Sequence, residues 1–81
     1  DYHIGIIYIA KKMYNEAIPY LERVIQLNPK HSVAYYWLGE AYWGIHNWNK
    51  AVENLKLAIK YNPEDNRPKK LLSILIEDYK I

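Results

Sequence analysis

The amino-acid sequence repeats itself at an interval of 34 residues. When the 81-residue chain is aligned with itself at that offset, the identical positions are mostly small or apolar, whereas the charged positions vary. The clearest identical pairs are Gly5 with Gly39, Tyr8 with Tyr42, Ala17 with Ala51, and Leu21 with Leu55. A period of about 20–50 residues is typical of a solenoid, whose units bury a core only by stacking on one another. Packing within and between units therefore governs the fold.

Within each unit, apolar residues recur at helical spacing. Tyr35, Leu38 and Tyr42 fall on one helical face, and Ala51 and Leu55 begin a second stripe after a short polar break. Each second stripe ends at Asn-Pro, because the residue before proline is pushed out of the α region. No stretch alternates with a period of two. The sequence therefore predicts five helices, near residues 2–12, 15–28, 32–45, 49–62 and 67–80, and no strands.

Three residues mark where these helices begin. Asn49 is the predicted N-cap of the fourth helix, because Asn is among the preferred capping residues. Pro19 is expected near the first turn of the second helix. Pro68 is expected in the opening turn of the fifth, where a missing N–H costs least.

Composition excludes several classes of protein. The chain has no Cys, which removes disulfides, thiolate nucleophiles and Cys-based zinc sites. Its formal net charge of +2 is too small to indicate a polyanionic partner, and the acidic pair Glu64 and Asp65 lies close before the short basic cluster at 67–70. The longest apolar run, Ile4 to Ala10, is far shorter than the ~20 residues that cross a bilayer. We therefore expect neither a nucleic-acid-binding protein nor a membrane span.

Residues that could carry catalysis or hold a metal do not converge in the sequence. His3, His31 and His46 fall in three different settings, none has a metal-ligand partner at helical spacing, and each is expected at a solvated surface. Glu77 and Asp78 are adjacent, so they point apart on a helix. The sequence thus predicts no enzyme, no metal site and no cofactor.

The repeated unit resembles the tetratricopeptide repeat. The residues that carry the resemblance in the second unit are the segment YYWLGEAY at 35–42, followed by Trp48, Ala51, Leu55, Ala58 and Pro63. The first unit matches through Ile4, Gly5, Tyr8, Tyr14, Ala17, Leu21 and Pro29. The resemblance covers residues 1–65. It implies an all-α, right-handed α-α superhelix (solenoid) of about two helix-turn-helix repeats plus a capping helix.

This resemblance divides the chain into three segments of one domain. Repeat 1 spans residues 1–31 with its first helix truncated at the start, repeat 2 spans 32–65, and a C-terminal capping helix spans 66–81. The last segment departs from the repeat pattern at four positions, which hold Pro68, Lys69, Ser73 and Ile76. Lys12 and His46 stand at turns where the family usually has Gly; a left-handed backbone there would be costly for either residue.

In the family, partners bind a concave groove lined by the first helix of each repeat. The resemblance assigns to this groove a mostly aromatic and apolar set: Tyr2, Ile6, Ile9, Val33, Tyr36, Trp37, Glu40, Trp43, Lys70 and Ile74. It also brings Arg67 of the capping helix to the same side. The Lys, Asn and Arg residues with which some members grip a C-terminal carboxylate are not reproduced. We therefore expect a protein or peptide partner that offers an apolar extended segment or an amphipathic helix, held with an affinity on the order of micromolar.

The first helix is apolar on nearly every face, and a helix of this kind is usually buried by packing partners on all sides. The residues that could mediate self-association are Ile4, Ile6, Ile7 and Ile9. Two alternatives follow. Either the chain is a piece of a longer repeat protein whose preceding repeats cover this helix, or a second copy covers it and makes a homo-oligomer. The rival function is accordingly structural self-association, with the groove and first helix filled by another copy.

Overall fold

The computed structural model describes the backbone of residues 2–79 and the side chains of residues 2–77. Five α-helices occupy this part of the chain, and it contains no strand: α1 (Tyr2–Ala10), α2 (Tyr14–Leu27), α3 (Ser32–Gly44), α4 (Trp48–Tyr61) and α5 (Asn66–Tyr79). The all-α prediction is confirmed, and each predicted helix overlaps an observed one. Residue 1 of the first repeat and residues 80–81 of the capping segment lie outside the described residues.

The helices form two layers of a right-handed α-α superhelix. Each helix packs against the next along the chain, and α1 also contacts α3, which in turn contacts α5. The inner layer therefore consists of α1, α3 and α5, and the outer layer of α2 and α4. Over residues 2–79, no helix has the length and apolarity needed to cross a bilayer.

Small residues let the paired helices approach closely. A Cβ at Gly5 would lie 2.7 Å from Cγ of Leu21, and Leu21 is completely buried. Ala17 and Ala51 are also completely buried. The small positions of the repeat are therefore explained by packing: a larger side chain would push the two helices of a unit apart.

The predicted apolar stripes form the core. Tyr35, Leu38 and Tyr42 are all at least nine-tenths buried, and Leu55 is completely buried. The two tyrosines keep hydrogen-bond partners at the edge of this core: the Tyr35 hydroxyl donates to the carbonyl of Pro29 at 2.8 Å, and the Tyr42 hydroxyl donates to a Glu22 carboxylate oxygen at 3.2 Å. Their rings can therefore be buried without leaving the hydroxyls unsatisfied.

The two turns inside the repeats have the same left-handed geometry. Lys12 has φ 61° and His46 has φ 64°, values that glycine adopts more easily than either residue. After each of them, the next backbone N–H closes a wide turn: Met13 donates to Tyr8 and Asn47 donates to Tyr42. This is the Schellman arrangement, which satisfies carbonyls at the end of a helix.

The structure corrects two predicted helix starts. Asn47, not Asn49, caps α4: its side-chain oxygen accepts from the backbone N–H of Lys50 at 3.4 Å, whereas Asn49 lies inside the helix. Pro19 is the sixth residue of α2, beyond its first turn. The carbonyl of Asn15 therefore lacks its α-helical donor, because proline has no N–H. Pro68 does lie in the opening turn of α5 and is buried.

His31 is a further correction, because it is not simply a solvated surface residue. Its Nδ1 accepts a hydrogen bond from the backbone N–H of Ala34 at 3.1 Å, so it caps α3. Histidine is uncommon in this role; here it is half-buried, with its ring 5.1 Å from that of Tyr2. The contact ties the start of α1 to the start of α3.

Candidate functional site

A groove of about 320 Å³ lies between α3 and α5, on the inner layer of the superhelix. Seven residues line it: Tyr36, Glu40, Trp43, Arg67, Lys70, Leu71 and Ile74. Below, these seven are called the α3–α5 groove. Five of them belong to the predicted partner-binding set. The resemblance had also placed Arg67 on this side, and Leu71 lies on the apolar stripe of the last helix.

Helical geometry explains why α3 contributes these side chains. Tyr36, Glu40 and Trp43 are spaced four and three residues apart, so they share one face of α3. The core residues Leu38 and Tyr42 occupy the other face. All three groove residues are partly exposed, and the two aromatic rings also pack against the core cluster. Packing against the core therefore fixes the two aromatic rings in position while part of each stays exposed.

Arg67 is fixed in position by two contacts at the start of α5. Its guanidinium lies 4.9 Å from the centre of the Tyr36 ring, and its Nη2 is 2.8 Å from an Asp65 carboxylate oxygen. Asp65 also accepts from the backbone N–H of Arg67 at 3.0 Å, so one side chain both caps the helix and holds the arginine. These hydrogen bonds lower the pKa of the Asp65 carboxyl and raise the pKa of Arg67.

Glu40 is the acidic residue of the α3–α5 groove. Burial raises the pKa of its carboxyl, and hydrogen bonding to Tyr36 lowers it by less. The pKa of Tyr36 is raised as well, first by burial and then by the negative charge of Glu40. Among the described side chains, residues 2–77, no cation forms an ion pair with Glu40. The groove therefore contains a half-buried carboxylate without a counter-ion.

A second cavity, of about 280 Å³, adjoins the first. It is lined by Tyr14, Glu40, Trp43, Gly44 and His46. Glu40 and Trp43 are common to both cavities. A chain that occupied both cavities would pass over these two side chains.

The remaining predicted groove residues lie elsewhere. Tyr2, Ile6, Val33 and Trp37 are half-buried and do not line the α3–α5 groove. The Trp37 ring meets Tyr36 edge-on, with 5.0 Å between ring centres. Ile9 is 7% exposed and belongs to the core cluster, so it offers almost no surface to a partner or to another copy, and it does not line the α3–α5 groove. Ile9 was assigned to both the partner-binding set and the self-association set because α1 has apolar residues on every face.

The first helix exposes part of its apolar surface. Ile4 is 42% exposed and Ile7 is 54% exposed, whereas Ile6 is half-buried. The residues 34 positions later, Leu38 and Ala41, are almost completely buried. The difference arises because α3 has α2 packed against it, and in the described part of the chain no helix occupies the corresponding position beside α1.

The sequence did not indicate a cavity of about 430 Å³ between α2 and α4, on the outer layer. Its lining mixes core aromatics with polar residues: Glu22, Ile25, Gln26, Tyr35, Leu38, Tyr42, Lys50, Glu53, Asn54 and Leu57. Burial, followed by the charge of Glu22, raises the pKa of Tyr42 there. Within the residues that the structure describes, no three His, Asp or Glu side chains are grouped so that they could hold a metal ion.

Stacked helix pairs with an aromatic-lined inner face define a helical-repeat module of the kind typical of protein-interaction scaffolds. The chain belongs to the tetratricopeptide repeat family: the family model matches residues 8–75. This confirms the resemblance that the sequence indicated.

Three relatives show how far the similarity extends. BBS4, a BBSome complex member of Mus musculus, is 31% identical over 74 residues, which make up 91% of this chain and 14% of that protein. The solved structure of MamA 41-end from Desulfovibrio magneticus RS-1 superposes with a TM-score of 0.93 at 30% identity. A MamA RS-1 ArsTM double mutant gives 0.90 at 32% identity. The two superpositions cover 98% of this chain but only 45% and 46% of the MamA chains.

Proposed function

We propose that the chain is a non-catalytic protein-interaction module that binds a peptide segment or amphipathic helix of its partner in the α3–α5 groove. The observation that carries the proposal is the convergence of Tyr36 and Trp43 from α3 with Ile74 from α5 on one open cavity. Large aromatic side chains bury much area with few torsions to freeze, which suits them to anchor a partner. Membership of the tetratricopeptide repeat family and the similarity to BBS4, a member of a protein complex, support the same interpretation.

The chemistry of the groove supports an apolar or amphipathic guest. Ile74 is 42% exposed, and the partly exposed Trp43 extends the apolar surface beside it. Exposed apolar surface of this kind gains free energy when a partner removes it from water. Among the charged residues of the groove, Glu40 stands on α3 between Tyr36 and Trp43, where it can select and orient the bound peptide.

The test is selection of binding peptides from a random 12-residue library displayed on phage. The wild-type protein should select peptides rich in apolar residues and bind them with dissociation constants on the order of micromolar. Ile74→Lys should weaken that binding at least tenfold, because it places a charge in the apolar part of the groove. Ile76→Lys is the matched control, since Ile76 is 47% exposed on the same helix but lies outside the groove. Equal binding by both variants, or failure of the wild type to select any peptide, would refute the proposal.

A second function, self-association through α1, rests on the exposure of Ile4 and Ile7. Sedimentation at two protein concentrations would test it. Under this alternative the wild type is a dimer that Ile7→Lys converts to a monomer. Leu27→Lys, which alters an 82% exposed apolar residue on α2, leaves the dimer intact. A wild-type protein that is monomeric at both concentrations contradicts the alternative.

A further inference from the structure

We infer that the peptide bound in the α3–α5 groove carries a basic side chain, lysine or arginine, which pairs with Glu40 while apolar residues on either side contact Trp43 and Ile74. This inference rests on the proposed function, because it specifies the partner of the same groove. It specifies the charge of the bound peptide, which neither the family nor the relatives indicate.

The charge distribution around the groove favours a basic guest. Glu40 is half-buried and has no ion-pair partner among the described side chains. The attraction between a carboxylate and a counter-ion is stronger where the carboxylate is partly buried than where it is fully solvated, because the effective dielectric constant is lower. A basic side chain of the bound peptide would supply that counter-ion where the two cavities meet.

The basic residues of the groove make a weaker case for an acidic guest. The charge of Arg67 is already neutralised by Asp65, through contacts of 2.8 Å and 3.2 Å to one carboxylate oxygen and 3.1 Å to the other. Lys70 is exposed, so water and salt screen it. Of the charged residues that line the groove, Glu40 is therefore the one with both partial burial and an unmet charge.

The aromatic neighbours of Glu40 also suit a cation. Trp43 lies three residues further along the same helical face, and a tryptophan ring is the strongest cation–π partner among the side chains. The groove already contains one such contact, since the Arg67 guanidinium lies over Tyr36. A second basic group between Trp43 and Glu40 would repeat that arrangement with a residue of the guest.

The position of Glu40 sets where the basic residue stands in the guest. Glu40 and Trp43 separate the two adjoining cavities, of about 320 Å³ and 280 Å³. A peptide that spans both therefore has its basic residue in the middle, with apolar residues directed towards Ile74 on one side and Tyr14 on the other.

Parallel library selections on wild type and on Glu40→Gln test the inference. The wild type should enrich peptides with one central lysine or arginine and apolar residues around it. Glu40→Gln should retain apolar peptides but lose the enrichment of the basic residue, since the amide preserves shape and hydrogen bonding without the charge. For a selected peptide, either Glu40→Gln or replacement of the central basic residue by Gln should weaken binding roughly tenfold. The two changes together should weaken it little further.

The possible outcomes separate this inference from the proposed function. If the wild type selects apolar peptides without a basic residue, or selects acidic ones, the inference is wrong and the groove still binds peptides. If Ile74→Lys binds as well as wild type, or no peptide is selected, the proposed function itself fails. Additive effects of Glu40→Gln and the peptide substitution would also overturn the inference, because the two groups would then act independently.

Discussion

Gly39 and Leu55 occupy a shared space between α3 and α4: a Cβ at Gly39 would lie 2.6 Å from Cδ2 and 2.7 Å from Cγ of Leu55. Leu55 is completely buried, so it cannot swing away into solvent. The pair recurs 34 residues earlier as Gly5 and Leu21. The helices of each repeat can therefore lie close together only because one side of the contact has no side chain.

Gly39→Ala should lower the free energy of unfolding by about 1–3 kcal/mol, although alanine is the better helix former, because Leu55 must be displaced. Leu55→Ala alone should cost about 2–5 kcal/mol by leaving a cavity. The double variant should lose less unfolding free energy than the two single variants lose in sum, since the new methyl group enters that cavity. Urea denaturation of all four proteins measures this coupling. Strict additivity would show that the two residues do not compete for the same space.

The left-handed turns predict a stabilising substitution. Lys12→Gly should raise the free energy of unfolding by roughly 0.5–1 kcal/mol, because φ 61° is strained for lysine and easy for glycine. Lys11→Gly is the matched control: it alters the neighbouring residue, which has no positive φ, and should be neutral or destabilising. Thermal denaturation compares them. A destabilised Lys12→Gly variant would mean that the lysine side chain contributes more than its backbone strain costs.

Glu40 predicts a pH-dependent stability that falls towards neutral pH. Burial raises its folded-state pKa above the ordinary value of 4.5, so the folded state favours the protonated carboxyl. The stability that this group contributes is complete below pH 4.5 and is lost as the pH rises through the raised pKa. Glu40→Gln should therefore gain stability relative to wild type between about pH 4 and pH 7, as measured by urea denaturation. A constant difference across that range would contradict the burial of this carboxyl.

Asp65 predicts the opposite dependence. Its folded-state pKa lies below the ordinary value of 3.8 because Arg67 stabilises the carboxylate, so its contribution is present above pH 3.8 and is lost as the pH falls through the lowered pKa. Asp65→Asn, which keeps a capping side chain, should cost about 0.5–1 kcal/mol at neutral pH and nothing in strong acid. Denaturation curves at both pH values would reveal the difference. An equal cost at both would show that the ion pair adds nothing beyond the cap.

The repeat pattern allowed the fold to be predicted from the sequence, because its apolar and small residues carry the packing. The 34-residue spacing placed Gly39 and Leu55 in the core, and the Asn-Pro pairs ended α2 and α4 where the structure ends them. The helix starts were harder. Two asparagines lie within one turn of each other at the start of α4, and spacing could not show that Asn47 rather than Asn49 provides the cap.

The site could be predicted in part. Tyr36, Glu40 and Trp43 were placed on one face by helical spacing, which is a local property of α3. Ile9 was misplaced because apolar residues on every face of α1 give no clue to which face is buried. The contact of Arg67 with Tyr36 was not foreseen, because it depends on how α5 approaches α3 in three dimensions.

An NMR titration of the wild-type protein with a library-selected peptide tests the concave groove most directly. The chain has three tryptophans, so each indole N–H gives one readily assigned signal. Our account predicts that the Trp43 indole and the backbone amides of Glu40 and Ile74 shift on binding, while the Trp48 indole stays unchanged. Shifts confined to the outer layer, at Glu22, Glu53 and Leu57, would contradict it and place the binding surface between α2 and α4.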